Sequence, residues 1–539
     1  MWKTGSPCAE ALEHAAGSGR GGLRLVQRVR PTREVVPLDV DDDERPAHAW
    51  PAIIAATLDC PRMVELAGLG VADAAALLHA RELSARELLA ACEQAIAARN
   101  GGPPSFDGAP AAVNAWVRLY PELAAAAAQA SDERLARERE DAPVLCGIPI
   151  GLKDLYAIAG LPLTASSRVL EGHVADADAI AWARLAAAGM VLVGHTHTHE
   201  FAAGGTTDQV GNPHALARSA GGSSGGSAAA LAAGMVPAAL GTDTAGSLRI
   251  PAALSGITSL KPTHGRIPID GILPLAASLD HAGPMARSAA DCALLLAGLA
   301  TPGAQSTPLM PPPAPLGPLP SAPRPGPRPL DGLHVALSDR TRGLALDDDV
   351  GDGLELARQA FAQLGAQIVE QPAPAQPWMD DLSTVLFAEV AAHHARYADR
   401  AERYRTSIRE FVELAASFND AAGYIAAQES RARLTAAWED WFERHGIDVL
   451  LEPTVPLSAR ERGDGYDSGH LGGEADPLIA LTSTWNMTGF PVLALPAGLG
   501  PRSGMPVGVS LIAPRGREAA LLEVAIDLQA QALAPLPIA

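Results

Sequence analysis

Apolar positions along the chain change their period several times, and each change predicts an element. Ordered structure is expected to begin near Val64. Leu88, Leu89, Cys92 and Ile96 share one helical face behind the capping-box pattern Ser84-x-x-Glu87. The Ala-rich run Pro121–Arg139 starts with proline, at the one helical position that needs no backbone donor. From Val144 to Leu152 the chain is apolar and broken by Gly147, Pro149 and Gly151, which predicts a buried strand and turn. Asp178–Ala188 predicts a helix ended by Gly189, and Met190–Val193 a short buried strand. Further on, Leu333–Leu337, Val449–Leu451 and Val507–Ile512 predict strands. Asp349–Leu364, much of Trp378–Arg433 and Glu518–Ala532 predict helices. Helix and strand alternate throughout. This predicts an α/β fold with a sheet covered by helices on both faces.

Composition modifies this picture in three places. Residues 1–62 hold a Gly-rich stretch, an Arg-rich piece and an acidic run, and are expected to form a poorly ordered N-terminal extension. Twelve of the 29 residues Thr301–Pro329 are proline, so 301–330 is expected to be a linker or insert in extended conformation. The 41 Lys and Arg against 61 Asp and Glu give a net charge of −20, which argues against nucleic acid as a partner. Five scattered cysteines (Cys8, Cys60, Cys92, Cys146 and Cys292) make neither a disulfide framework nor a metal motif. With no secretory signal pattern and no run of about 18 apolar residues, a cytoplasmic chain without membrane spans is expected.

The most informative stretch is Arg218–Ala253, where two Gly/Ser loops flank an Ala-rich helix, Ser227–Ala233. Three readings compete. A phosphate cradle would use a Gly-rich loop before a helix, but no Lys-Ser/Thr follows the loop and no G-x-G-x-x-G follows a strand here. A nucleophile elbow fits Gly221-Gly222-Ser223-Ser224-Gly225 literally, with His264, His281 and His445 downstream as candidate partners. It leaves the second loop, Gly241–Ser247, unexplained.

The third reading is a Ser–Ser–Lys site, and here the sequence resembles the amidase signature family. The match is carried by Gly221-Gly-Ser-Ser-Gly-Gly-Ser-Ala228, by Gly241-Thr-Asp-Thr-Ala-Gly-Ser-Leu-Arg-Ile-Pro251, and by Gly147-Ile-Pro-Ile-Gly-Leu-Lys153-Asp-Leu155. Leu260-Lys-Pro-Thr-His-Gly-Arg266, Ser278–Ser288 and Pro506–Leu511 extend it to the C-terminal part, and 301–475 is its weakest region. The resemblance implies one large catalytic domain, 63–539, around a mixed sheet, with no cofactor and no metal. It implies Ser247 as nucleophile, Ser223 as a bridging serine held at a cis peptide bond, and Lys153 as base. The N–H groups of Thr244, Ala245, Gly246 and Ser247 would form the oxyanion hole. One departure is Ala245, where the family usually has glycine.

The chemistry is coherent. A serine hydroxyl needs a base, and at a pKa of ~10.4 only roughly one lysine in 2,500 is neutral at pH 7. Lys153 must therefore be tuned to about 7–8 by burial, for which Ile148, Ile150, Leu152 and Leu155 are suited. Ser223 can accept from one neighbour and donate to the other. Ser224, Arg249, His199 and Trp485 are candidate substrate contacts. For each, a structural role is the competing reading: a fixed loop, an ion pair with Asp243, polar packing, or core. His195, His197 and His199 alternate with threonine and so share a face in extended chain, but Glu200 points away and pocket lining or packing is preferred to metal. The expected function is hydrolysis of an amide, with carbamates, aryl amides or esters as related substrates and a small molecule as partner. The alternative is the glutaminase subunit of a glutamyl-tRNA amidotransferase, a group that usually has glutamine where this chain has Ile250. An inactive hydrolase fold used for binding is the third reading. A homodimer is expected only by analogy with the family.

Overall fold

Short apolar runs without polar alternation must be covered on both faces, and the centre of this protein is built from such runs. The computed structural model describes residues 61–300, 313–375, 378–418, 420–463 and 477–539. Its strands are β1 (Trp116–Leu119), β2 (Pro149–Lys153), β3 (Val191–Thr196), β4 (Gly211–Asn212), β5 (Ala215–Ser219), β6 (Ala238–Asp243), β7 (Thr258–Lys261), β8 (His281–Ala286), β9 (His334–Leu337), β10 (Gln367–Glu370), β11 (Val449–Pro453), β12 (Val492–Leu499) and β13 (Pro506–Ile512). Eleven of them form one sheet in the order β1-β3-β2-β6-β8-β7-β12-β13-β11-β9-β10, and β4 and β5 make a separate hairpin. The sheet is mixed. β2 runs parallel to both β3 and β6, and β9 runs parallel to β10 and β11. The remaining pairings are antiparallel. Every residue of β2, β3, β6, β8 and β13 is buried, which is the pattern of a sheet covered on both sides. Residues Leu66–Ala539 cluster as one unit.

The helices follow the apolar periodicity closely. In Ala85–Arg99, Leu88, Leu89, Cys92 and Ile96 are buried, and the capping box closes in both directions. The Ser84 hydroxyl accepts from the Glu87 N–H at 3.2 Å, and the Glu87 carboxylate accepts from the Ser84 N–H at 2.9 Å. Pro121–Glu138, Ile180–Ala187, Asp348–Gln363 and Glu518–Gln531 lie within two residues of expectation. The expected helical region 378–433 is three helices: Met379–His394, Thr406–Ala415 and Ala421–His445. Ten of the chain's 22 aromatic residues fall between Trp378 and Phe442, so these helices, not the sheet, carry the aromatic part of the core.

Periodicity missed several strands, for physical reasons. β6 is built of small residues because there is no room for larger ones; a Cβ on Gly241 would sit 2.7 Å from the Ser224 hydroxyl. β8 contains Pro284, but β7 pairs with β8 only at Met285 and Ala286, so no β7 donor or acceptor is wasted on it. β12 contains Pro496, and its register with β13 shifts just after that residue.

Residues 1–60 lie outside the described residues, and with them nearly all of the expected extension, Cys8 and Cys60. So does the first part of the Pro-rich stretch, 301–312. From residue 313 to Pro329 the chain has no helix or strand, as its prolines demand. It is nevertheless tied down: Arg324 donates its main-chain N–H and its Nε to Asp527 on the last helix, both at 2.7 Å. Cys92, Cys146 and Cys292 are buried and unbridged. No helix among the described residues is long and apolar enough to cross a membrane.

Two substitutions should separate a local contribution from a packing requirement. A Cβ on Gly226, at the start of helix Gly225–Ala232, would overlap the main chain of His197 and Ala115. Gly226→Ala should therefore fail to give soluble folded protein. Ser84→Ala should fold and lose about 1 kcal/mol, seen as a small drop in Tm by thermal denaturation.

Candidate active site

Lys153 ends β2 between the two strands parallel to it, and is fully buried. Its Nζ donates to three hydroxyl oxygens: Ser223 Oγ at 2.8 Å, Ser224 Oγ at 3.0 Å and Thr242 Oγ1 at 2.8 Å. Burial brings the amine from its ordinary 10.5 down to about 7, against the opposing pull of Asp280 and Asp243. The hydroxyls are not equivalent. Ser224 uses its own hydrogen on the Thr242 carbonyl at 3.2 Å and also accepts from the Thr242 N–H at 3.3 Å. A neutral amine has two donors and one lone pair, so it cannot direct that lone pair at Ser224. It must face Ser223 or Thr242.

Ser223 precedes helix Gly225–Ala232, and the Gly222–Ser223 peptide is cis. The Ser223 carbonyl accepts from the His199 N–H at 3.0 Å and the Thr207 hydroxyl at 3.2 Å. Gly222 has to be glycine, because a Cβ there would overlap the Thr206 carbonyl.

The second loop leaves β6 at Asp243 and enters helix Arg249–Ser255. It is held from outside itself. Arg249 Nε and Nη2 grip both carboxylate oxygens of Asp243, at 2.9 and 2.8 Å, with both side chains fully buried. Arg249 also donates to the Thr482 carbonyl and to Asn486 Oδ1, each at 2.7 Å, and Asn486 donates back to the Asp243 carboxylate at 2.8 Å. Burial alone would raise the Asp243 carboxyl, but Arg249 outweighs it and holds the group down at about 2. Beside Asp243, the Thr244 hydroxyl donates to Asp280 at 2.5 Å. Among the described residues the N–H groups of Thr244, Ala245, Gly246 and Ser247 have no acceptor within the protein. Four consecutive open donors suit an oxyanion. Ala245 is not at positive φ, so its methyl is accommodated where glycine was expected. Gly246 is at φ 148°, and a Cβ there would meet Thr482 Oγ1 at 2.5 Å.

Ser247 is 7 % exposed, and its carbonyl accepts from the Ser224 N–H at 3.3 Å. The two serine loops thus meet through main chain; no hydrogen bond joins the Ser247 and Ser223 hydroxyls among the described residues. Such a contact is often long before substrate is seated.

Lys153, Ser223, Ser224 and Ser247 are brought together, whereas the other substrate candidates are placed differently. Arg249 points into the protein and clamps the loop. Trp485 is 1 % exposed and packs on Trp438 at a centroid distance of 4.8 Å, so it belongs to the core. Ser224 holds the lysine. His199 reaches the site through its main-chain N–H. His195 and His197 are buried, with both ring nitrogens of each near polar partners: Tyr120 and the Tyr156 carbonyl, and Ser166 and the Ser105 carbonyl. None of His264, His281 and His445 hydrogen-bonds Ser223, whose basic partner is Lys153, so the elbow arrangement is absent. The described residues hold no group of three or more His, Cys, Asp or Glu that could bind a metal. Thr242, Asp280, Thr482 and Asn486 were not found from sequence. Thr242 and Asp280 lie inside the matching blocks Gly241–Pro251 and Ser278–Ser288, and Asn486 follows the candidate Trp485, whereas Thr482 carried no signal of its own.

The family described as Amidase matches residues 106–522. This chain belongs to the amidase family. The A-type subunit of the glutamyl-tRNA(Gln) amidotransferase from Ralstonia nicotianae is 36 % identical over 498 residues, covering 84 % of this chain and 96 % of the relative. Among solved structures, a 6-aminohexanoate cyclic dimer hydrolase matches with a TM-score of 0.73 and 29 % identity, covering 87 % of this chain and 99 % of its own. A peptide amidase from Stenotrophomonas maltophilia matches with 0.71 and 28 %, covering 87 % and 98 %. As a member of this family, the enzyme acts on C–N bonds. The relatives by sequence bear the name of the reading ranked second above, and the structural neighbours bear names closer to the first.

Removing the Arg249 guanidinium would leave Asp243 as an uncompensated buried carboxylate, a change that typically costs 3–5 kcal/mol, so Arg249→Met should melt well below wild type. The sign of the pH effect follows from the lowered carboxyl. In wild type the Asp243 contribution is complete above pH 4 and is lost as pH falls through about 2. In the variant it should be lost at higher pH, which denaturation followed between pH 3 and 7 will reveal.

Proposed function

We propose that this chain is a serine hydrolase of small-molecule amides. Ser247 attacks the carbonyl carbon while its proton passes through Ser223 to neutral Lys153. The tetrahedral oxyanion is held by the open N–H groups of Thr244–Ser247. Collapse of this intermediate expels the amine, which takes the proton back from Lys153 through Ser223. Water, activated along the same relay, then releases the acid and frees Ser247. Carbamates and esters pass through a similar oxyanion and are natural side substrates. The observation that carries the reading is a fully buried lysine amine, brought to about 7, 2.8 Å from the Ser223 hydroxyl.

The second reading, a glutaminase subunit, is favoured by the 36 % identity to the A-type chain of an amidotransferase. A small cavity beside the site, about 10 Å³, accords with the first in its lining. It touches Thr242 and Thr244 and is otherwise lined mainly by aliphatic side chains such as Leu155, Ile272, Leu273 and Leu275. Among the described residues its lining has one acidic group, Asp280, and no Lys or Arg to receive the carboxylate of glutamine.

A panel of anilides, aliphatic amides, carbamates, p-nitrophenyl esters and glutamine decides between these. Hydrolysis of uncharged amides should exceed that of glutamine, and Ser247→Ala should lose it by about a thousandfold or more. Preference for glutamine, with partner subunits co-purifying, would select the second reading. Wild type that hydrolyses none of these faster than Ser247→Ala does would leave only a binding role. The pH dependence has a fixed sign. Protonated Lys153 cannot accept a proton, so kcat/KM should rise with pH through a midpoint near 7 and level off above it, being about tenfold below the plateau at pH 6. A rate independent of pH between 6 and 8 would contradict Lys153 as base.

A further inference from the structure

Ser278 is the meeting point of two charged side chains from helices far along the chain. Its N–H and hydroxyl donate to Glu389, at 2.9 and 2.5 Å. Its carbonyl and hydroxyl accept from Arg431 Nη2 and Nη1, at 2.7 and 3.1 Å. The Tyr424 hydroxyl completes the group by donating to Glu389 at 2.8 Å. Glu389 lies on helix Met379–His394, and Tyr424 and Arg431 on Ala421–His445. Arg431 is 2 % exposed. A buried cation of this kind needs a counter-charge, and Glu389 supplies it across the serine.

From this point two routes reach the Ser247 loop, one at Thr244 and one at the Asp243–Arg249 pair that brackets it. Two residues after Ser278, Asp280 accepts the Thr244 hydroxyl at 2.5 Å and the Leu275 N–H at 3.0 Å. The guanidinium of Arg431 also donates to the Met487 carbonyl at 2.6 Å and the Asn486 carbonyl at 3.3 Å. The Asn486 side chain is the one that grips Asp243 and Arg249. Helix Met379–His394 also packs on the site's apolar wall, where its Phe387 and Val390, with Tyr404 beyond its end, join Leu155, Ala202 and Leu275 in one core.

We propose that Arg431, with Glu389 as counter-charge across Ser278, is a positioning residue that makes the 379–445 helices set the geometry of the Thr244–Ser247 loop. Neither side chain is within hydrogen-bonding distance of Lys153, Ser223 or Ser247, so the effect is on alignment of the donors and not on the reacting atoms. The fork of the guanidinium matters as much as its charge, because one planar group bridges 278 and 486–487, which an ammonium cannot do equally well. The inference rests on the reading of Ser247 as nucleophile.

The test compares wild type, Arg431→Gln, Arg431→Lys and Glu389→Gln on a p-nitrophenyl ester, with active sites counted by fluorophosphonate. In Arg431→Gln, kcat per titrated site and the rate of Ser247 labelling should both fall about 10–100-fold with KM within about twofold. Arg431→Lys should recover part of the loss. Glu389→Gln, which keeps an acceptor for Ser278, should lose about three- to tenfold in kcat alone, and it carries the test if Arg431→Gln does not fold. A lowered Tm with unchanged kcat per site would overturn the proposal by making the group merely structural. A raised KM with intact kcat would overturn it by making Arg431 a substrate contact. Failure of the underlying reading is separately visible: fluorophosphonate would then label wild type and Ser247→Ala alike.

Discussion

Everything at the candidate site is arranged around the burial of one amine. Moving the Lys153 pKa from 10.5 to about 7 corresponds to roughly 5 kcal/mol of differential stabilisation of the neutral form. The cause is position. Lys153 sits where β2 is flanked by β3 and β6, and the covered sheet keeps water from the amine. A polar group buried this deeply has to be hydrogen-bonded. The three hydroxyls that do so come from two places: the consecutive Ser223 and Ser224 before helix Gly225–Ala232, and Thr242 on β6. The need to satisfy the amine is thus also what draws Ser223 and Ser224 to it.

The Ser247 loop follows a complementary rule. A loop that closed hydrogen bonds on itself would leave no donors for an oxyanion. This one is instead held by side chains that approach from elsewhere: Arg249 and Asn486 on Asp243, Thr482 on the Ala245 carbonyl, and Asp280 on Thr244. Four N–H groups are left open as a result. Rigidity is supplied by a buried ion pair and an amide, so the donors are aligned before any substrate arrives, and this is the condition under which such donors are most effective.

The parts of the fold that were legible in the sequence are those whose signal is local. Helix Ala85–Arg99 has a capping box and one apolar face, and both are properties of adjacent residues. β2 and β3 are short apolar runs rich in branched residues. β6, β8 and β12 were not legible, because alanine, glycine and proline interrupt them, residues that periodicity reads as loop. Their strand character comes from neighbours that hold them and from the lack of room for larger side chains. Arg249 and Trp485 could be read from sequence either as substrate contacts or as structural residues. Only their neighbours, Asp243 and Asn486 for the one and Trp438 for the other, distinguish the two.

The sequence by itself determined the class of chemistry. The order and spacing of Lys153, Ser223 and Ser247 within their glycine-rich surroundings resemble one family, and its motifs are local strings that survive without coordinates. Tertiary structure decided what those strings become. Whether a lysine is neutral depends on the water excluded around it, and whether a loop keeps its donors open depends on partners more than 200 residues away, such as Thr482 and Asn486. Burial and long-range hydrogen bonding are properties of the packed chain, and no spacing of letters encodes them directly.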